Sequence, residues 1–406
     1  MTGLSPAKGS DHARLALYPL TFVDEGDQVV IGRPDIDSFA VFPADAAAVV
    51  RRLRVGDDPD TVAAWYQAAY GEAADIDDFI ETLRDLGFIR LEAENHAEIP
   101  PPPEVRWRRT AVVMLSAPAR TLYAIAVGAA VYLMVAVPAL RPWPSTIFFS
   151  RSLLLVMGVA AVAQLVGIAW HEGFHVLAGR RIGLRSSLSI GRRLYYVVFE
   201  TTLTGLMGVP SRQRILPFCA GLIADGVFIS VLTGFAEASR LAGWPPVTVR
   251  IAVALVYLTV LRMLWQAMIF METDLYHVLA SILKCPDLHR MTRTYLRNQF
   301  GRFRGRPVPA AEVRGWSARD LRVVSRYAPF VVVGSVAVIG VAAVGSIPVL
   351  AGFVLRIYRG VFAGHLAGPS FWDSLLTAVA ILLQFAVVAA LAVRDRRRRR
   401  VTPDGA

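Results

Sequence analysis

The chain passes from a region of mixed polarity into a series of long apolar runs. In residues 15–95, the segments "TFVDEGDQVVIGR" and "SFAVFP" alternate as β-strands do, and three capped helical patterns follow them. Beyond residue 110, six stretches have the roughly 20 apolar residues that a bilayer-spanning helix needs. They cover 121–140, 152–174, 215–236, 247–275, 328–350 and 371–393. The pattern predicts a predominantly α-helical polytopic membrane protein with a small N-terminal α+β domain.

Changes in composition along the chain suggest where its parts begin and end. After the third helical pattern, "FIRLE" predicts a closing strand, and four consecutive prolines at 100–103 predict a stiff linker. The predicted parts are a soluble domain (1–96), a Pro-rich linker (97–110), a membrane core (111–290), a cytosolic basic loop (291–326), C-terminal membrane helices (327–393) and a basic cytosolic tail (394–406).

Charge is distributed unevenly along the chain. Residues 1–99 carry 8 Lys/Arg and 19 Asp/Glu, whereas the whole chain has 43 and 32 and a net charge of +11. Among the connections between predicted spans, 180–214, 284–326 and the tail are the richest in arginine and lysine. The positive-inside rule then predicts a multi-pass protein of the cell membrane with both termini in the cytosol. We interpret the basic tail as an anchor near anionic membrane lipid rather than as a nucleic-acid site.

The motif "HEGFH" stands at the end of the second apolar run. Because residues four apart share a helix face, His171 and His175 can present two imidazole nitrogens to one metal, with Glu172 beside a bound water. A catalytic zinc site needs about three protein ligands, an open position and a nearby carboxylate base. The motif therefore predicts a Zn²⁺ site in which Glu172 is the catalytic base. The alternative is a pair of interfacial histidines whose polar atoms are satisfied by neighbours.

A third ligand is expected at the same membrane depth. The second and fourth predicted spans both run inward, and the fourth ends in "FMETDLYHVLA". We predict Asp274 as the third ligand, with Glu272 and His277 as substitutes. The alternative is that these polar residues only mark the polar border of the membrane.

The segments "AWHEGFHVLAGRRIG", "CAGLIADG" and "METDLYHVL" resemble the site-2 protease group of intramembrane zinc metalloproteases. The resemblance covers roughly residues 110–290 and implies hydrolysis of a peptide bond in a peptide or protein substrate. It also implies a substrate-positioning role for Gly221 and Asp225. Asp225 stands where the group usually has Asn, and Asp274 is followed by Leu275 where the group usually has Gly. Asp225 has an alternative role as the ion-pair partner of Arg262 on the fourth span.

The segment "LYYVVFETTLTG", between the second and third spans, is rich in β-branched and aromatic residues. This composition predicts a strand or hairpin at the membrane face, where an extended peptide could pair with its edge. A surface loop with anchoring aromatic residues is the other interpretation.

The N-terminal strands, three helices and "DLGFIRL" resemble the PqqD-like fold, a small winged-helix unit that recognises the leader peptides of ribosomally made peptides. The resemblance implies a peptide-binding groove, for which Val29, Phe39 and Phe42 are candidates. Core packing explains these three residues equally well, and an unspecific regulatory domain is the alternative.

Together these patterns favour a membrane-embedded zinc metalloprotease acting near the cytosolic face, with an N-terminal domain that recognises its peptide substrate. Two alternatives remain open: a non-proteolytic receptor or export component for a modified peptide, and an ion- or proton-coupled transporter.

Overall fold

The structure is a computed structural model, and it describes residues 15–26, 28–90, 105–193, 196–285, 287–305, 316, 318–362 and 368–401. The predicted proline linker at 100–103 lies outside the described residues. The chain forms two compact units. The first comprises Met1–Arg106 together with Leu203–Arg214, and the second comprises Trp107–Thr202 together with Ile215–Ala406.

The first unit contains a small antiparallel sheet followed by three helices. Its strands are ordered β1-β2-β3 and cover β1 (Thr21–Asp24), β2 (Gln28–Arg33) and β3 (Ser38–Pro43). Its helices are α1 (Ala44–Val55), α2 (Pro59–Tyr70) and α3 (Ile76–Asp85). The side chains of Asp58 and Asp75 cap α2 and α3 by accepting hydrogen bonds from backbone N–H groups, in keeping with the three helical patterns in the sequence.

The core of this unit lies between the sheet and the helices. Val29 and Phe42 are buried in it with Leu53, Leu83 and other apolar residues, so both serve core packing. Phe39 is half-buried and covers Gly32, where the Cβ of any other residue would overlap its ring. Of the predicted closing strand, the described residues form only one isolated bridge, between Leu17 and Ile89.

The segment Leu203–Arg214 packs as part of this first unit, although it is distant in sequence. Asp37 accepts a hydrogen bond from the Gly205 backbone N–H at 2.7 Å. Glu25, at the turn after β1, accepts one from the Ser211 hydroxyl at 2.5 Å and forms an ion pair with Arg214 at 2.8 Å. Both partners of the ion pair are almost fully buried. The position of Leu203–Arg214 in the sequence does not by itself show that this segment belongs to the first unit.

The second unit is mainly helical. Its helices are α4 (Arg108–Met114), α5 (Ala117–Ala136), α6 (Leu153–Arg181), α7 (Ser211–Leu241), α8 (Pro246–Gln266), α9 (Asp274–Leu283), α10 (Leu288–Phe303), α11 (Ala318–Phe362) and α12 (Pro369–Val401). The first turn of α7, up to Arg214, belongs to the first unit. Six of these helices, α5 to α8 with α11 and α12, are long and apolar enough to cross a membrane. The prediction of a helical, multi-pass membrane protein is therefore confirmed.

Burial differs among these six helices. A third of the most apolar window is buried in both α7 and α8, whereas none of it is buried in α11 and 6% in α5. Large exposed apolar surfaces of this kind suit a helix whose solvent is lipid. The spans α7 and α8 are therefore the ones best enclosed by protein.

The fourth span is shorter than predicted. The sequence predicts one helix over 247–275, but α8 ends at Gln266, and a 3-10 turn, Ile269–Met271, precedes α9. Glu272 adopts a left-handed conformation with φ of 54°. The break is stabilised locally, because the Thr273 hydroxyl donates to the Gln266 carbonyl at 2.6 Å. Asp274 consequently begins a separate helix instead of lying within a span.

The segment "LYYVVFETTLTG" contains a strand, as predicted, and this strand pairs with a second one that precedes it. β4 (Arg185–Arg193) and β5 (Tyr196–Thr204) pair to form a two-stranded sheet. The loop interpretation of "LYYVVFETTLTG" is therefore wrong, and β5 leads directly toward the start of α7.

Candidate metal centre

Helix α6 supplies the two histidines. Its N-terminus is capped by Ser152, whose side chain accepts from the Leu155 N–H, and its 29 residues reach past the motif to Arg181. The spacing of four places His171 and His175 on one face, and both residues are buried, with 4% and 6% of their surface exposed. Two imidazoles therefore project into the protein from one rigid element.

Asp274, at the first position of α9, supplies the carboxylate. Its backbone N–H donates to the Gln266 side chain at 3.3 Å, which orients the start of α9. Among the described residues, His171, His175 and Asp274 form a group whose donor atoms could hold one metal ion. Of the two predicted substitutes, Glu272 is exposed and His277 stacks on Phe218, and neither belongs to this group.

The three donor atoms form a nearly equilateral triangle. His171 Nε2 and His175 Nε2 are 3.3 Å apart, and Asp274 Oδ2 lies 3.2 Å from each of them. Ligands about 2.0–2.1 Å from a tetrahedral zinc ion are separated by about 3.3 Å. The donor set fits zinc in both geometry and chemistry, since two imidazoles and one carboxylate are typical zinc ligands with one position left open.

The other ring nitrogen of each histidine has its own partner. His175 Nδ1 lies 2.8 Å from the Pro217 carbonyl, which can only accept a hydrogen bond, so this nitrogen carries the proton. His171 Nδ1 lies 3.1 Å from a carboxylate oxygen of Asp225 and donates to it in the same way. These partners leave the two Nε2 lone pairs directed at each other and at Asp274, an arrangement that a cation would stabilise.

Asp225 is fully buried and forms two kinds of contact. Besides His171, it binds the Arg262 guanidinium at 2.5 Å, and Arg262 in turn donates to the Gln164 side chain at 2.8 Å. Gly167 makes room for the guanidinium, because a Cβ there would lie 2.5 Å from an Arg262 nitrogen. The predicted pairing of Asp225 with Arg262 is therefore present, and the same carboxylate also orients a candidate metal ligand.

Gly221 lies directly against the donor triangle. A Cβ at this position would overlap His171 Cε1 and Nε2 and would lie 2.5 Å from His175 Nε2. The absence of a side chain at Gly221 is what allows α7 to approach α6 at this level.

Glu172 is half-buried next to the two histidines in sequence. Its carboxylate oxygen Oε2 accepts a hydrogen bond from the Thr201 hydroxyl at 2.7 Å. The structure thus gives the predicted base a polar partner on strand β5.

Sequence reasoning missed three supporting groups: Gln164, the Pro217 carbonyl and Thr201. Gln164 could have been identified from the sequence, because it is a polar residue within an apolar span. It also lies seven positions before His171 on the same helix face. The Pro217 carbonyl and Thr201 could not have been identified in this way, since their roles depend on how separate elements pack. No protein-family model, curated protein or solved structure matches the chain, so the function of this centre is inferred from its geometry.

Proposed function

We propose that the protein is a membrane-embedded zinc metallopeptidase that hydrolyses a peptide bond. The observation that carries this proposal is the triangle of His171 Nε2, His175 Nε2 and Asp274 Oδ2, with sides of 3.2–3.3 Å, together with the Glu172 carboxylate on the helix that carries both histidines. A structural zinc site normally has four protein ligands, whereas three ligands beside a carboxylate suit a hydrolytic one.

Each residue has a distinct role in this proposal. His171, His175 and Asp274 hold the metal, which when bound supplies the Lewis acidity that makes water a usable nucleophile near neutral pH. Glu172 takes a proton from the attacking water at its carboxylate and passes it to the leaving amine. Burial of both histidines excludes bulk water and strengthens electrostatic interactions around the scissile carbonyl.

The contacts of the intramembrane charges favour an enzyme over a transporter. Asp225 and Arg262 bind each other, and Asp225 also supports His171. Charged groups that conduct ions or protons are expected to form a chain along a pathway. Here they converge on one centre, which is the arrangement expected of groups that orient a metal ligand.

Metal analysis tests the centre itself. Purified wild-type protein is expected to contain about one zinc per chain, and His171→Ala is expected to lose most of it. His289→Ala serves as the control, because His289 lies on α10 outside the donor group. Absence of metal from the wild type, or full retention in His171→Ala, would refute the proposal.

Peptidase activity is tested without knowledge of the substrate by comparing cells that express wild type or Glu172→Gln. We expect new protein N-termini with the wild type only, and equal zinc in both proteins, because Glu172 is not a ligand. Identical sets of N-termini would favour the alternative of a metal-bearing receptor or export component.

We further propose that the first unit recognises the peptide substrate, as its resemblance to PqqD-like domains implies. Support comes from the three-stranded antiparallel sheet followed by three helices, and from two exposed apolar side chains, Ile36 and Val41, in and next to β3. A photo-crosslinking residue at position 41 of Glu172→Gln is expected to capture uncleaved substrate. The same probe at Val55, which is 80% exposed at the end of α1, is the control. Equal capture at both positions would count against recognition by β3.

We infer that both termini lie in the cytosol of a cell-membrane protein, from the excess of arginine in alternate connections. A reporter that is active only outside the cytosol, fused after Ala406, is expected to be inactive. An active reporter would reverse the orientation.

A further inference from the structure

Glu172 needs a defined orientation to act as a base, and α6 alone does not provide it. A glutamate side chain has three rotatable bonds, and a helix surface permits several of its rotamers. In the structure, the Thr201 hydroxyl lies 2.7 Å from Glu172 Oε2 and 3.1 Å from the Glu172 backbone carbonyl. The Thr201 hydroxyl therefore contacts both the side-chain carboxylate and the backbone carbonyl of Glu172.

The Thr201 hydroxyl has a single proton and can donate it to only one of these two oxygens. The carboxylate oxygen is the acceptor, because it is closer than the carbonyl oxygen and carries a negative charge. A hydrogen bond to an ionised oxygen is shorter and stronger than one to a neutral carbonyl. Binding at Oε2 leaves Oε1 available to accept a proton from water. The contact thus fixes the side chain without occupying the oxygen that the reaction needs.

We propose that Thr201 is a positioning residue that holds the Glu172 carboxylate in its reactive orientation. This inference rests on the proposed peptidase function and extends it, because it makes strand β5 part of the catalytic machinery. Thr202, the next residue of the strand, is exposed and points to the other face of the sheet. It provides a matched control on the same strand.

The experiment uses the full-length protein in detergent, loaded with Co²⁺, and acetohydroxamate as the probe. This small ligand chelates the metal through two oxygens and gives a proton to the neighbouring carboxylate, so its affinity reports the position of Glu172. Bound cobalt per chain is measured separately from hydroxamate affinity, which is followed by the visible spectrum of the metal.

Thr201→Val removes the hydroxyl and keeps the shape of the side chain. We expect unchanged cobalt content and about tenfold weaker hydroxamate binding, the usual size of the loss when a hydrogen bond that orients a group at a metal site is removed. Thr201→Ser, which keeps the hydroxyl, is expected to restore affinity to within about threefold, and Thr202→Val to have no effect. If Thr201→Val does not fold, Thr201→Ala is measured in its place, with the same expected loss.

A double-mutant cycle tests whether Thr201 acts through Glu172. In the Glu172→Gln background, Thr201→Val is expected to cause no further loss of affinity. Unchanged affinity in Thr201→Val, or an equal loss in both backgrounds, would overturn the inference and leave the metal centre intact. Failure of the wild type to bind cobalt would instead overturn the proposed metal centre on which the inference depends.

Discussion

At Gly221, the addition of a single methyl group is expected to weaken the metal centre. A methyl group in Gly221→Ala would overlap the imidazoles of His171 and His175, so one of the ligands must move. We expect metal affinity to fall at least tenfold, as measured by competition with a chelator of known affinity. Gly234→Ala on the same helix is the control, because nothing lies within 4 Å of a Cβ there. Equal affinities in the two variants would contradict the role of Gly221.

Asp225 is expected to influence the metal indirectly. Asp225→Asn keeps the size of the side chain but removes the charge that orients His171 and pairs with the buried Arg262. Loss of a carboxylate that is hydrogen-bonded to a metal-binding histidine typically lowers metal affinity about 10–100-fold. The control is Glu237→Gln, also on α7, whose partner Arg240 is well exposed. A drop in affinity in both variants, or in neither, would argue against this role for Asp225.

Individual site residues differed in how well the sequence could predict them. His171 and His175 followed from their spacing, which depends only on helix geometry. Asp274 followed from an argument about membrane depth, and the structure places it in the donor group although α8 ends before it. Thr201 could not be predicted, because its contact with Glu172 depends on the packing of β5 against α6.

At the scale of elements, the start of α6 depends on the last helix. The Asp373 carboxylate, on α12, accepts hydrogen bonds from the Ser152 hydroxyl and from the Leu153 N–H at 2.5 and 2.7 Å. The Leu153 N–H is one of the free backbone donors of a helix N-terminus, where a carboxylate is also favoured by the helix dipole. The contact fixes the helix that carries the metal motif to α12.

Asp373→Ala is therefore expected to destabilise the membrane unit by about 1–2 kcal/mol, the usual effect of losing a helix cap. Thermal unfolding in detergent measures this as a lower midpoint. Metal content is expected to stay unchanged, because the cap residue Ser152 lies 19 positions before His171. An unchanged midpoint would show that the Ser152 side chain caps α6 well enough alone.

The sequence predicted where membrane helices occur better than where they end. Six apolar runs gave six spans, because apolar length is the main requirement for crossing a bilayer. The break between Gln266 and Asp274 was missed, because hydropathy reports whether a segment can be buried and not whether its helix continues. What ends α8 is a set of local bonds between Gln266, Thr273 and Asp274.

At the scale of the whole molecule, the two units are not consecutive in sequence. Glu25 and Ser211 are 186 positions apart, yet they are hydrogen-bonded within the first unit. No local pattern in the sequence could predict this pairing. Removing residues 1–99 would therefore also remove the carboxylate partner of Arg214, and such a truncation would not test substrate recognition alone.

The buried pair of Glu25 and Arg214 is expected to hold the segment Leu203–Arg214 in the first unit. Glu25→Ala leaves the guanidinium with the Met207 and Val209 carbonyls and the Met207 sulfur as partners, so its charge is uncompensated on a side chain that is 4% exposed. Breaking a buried ion pair from one side costs about 3–5 kcal/mol. We expect faster amide hydrogen exchange in peptides covering 203–214 of the full-length protein, by about a hundredfold or more.

The neighbouring residue supplies the control for that measurement. Asp24 pairs with Arg51 at 3.0 Å, but both side chains are well exposed, so Asp24→Ala is expected to cost less than about 1 kcal/mol. Amide exchange in 203–214 should therefore respond to Glu25→Ala and hardly to Asp24→Ala.

If both variants leave this exchange unchanged, the segment is held by apolar packing, such as the contact of Phe39 with Gly208, and the ion pair is dispensable. If both variants accelerate the exchange equally, its cause is a disturbance at the end of β1, where Asp24 and Glu25 are neighbours, and not the loss of the ion pair. Only a selective response to Glu25→Ala shows that a buried charge in the turn after β1 holds the segment that leads into α7.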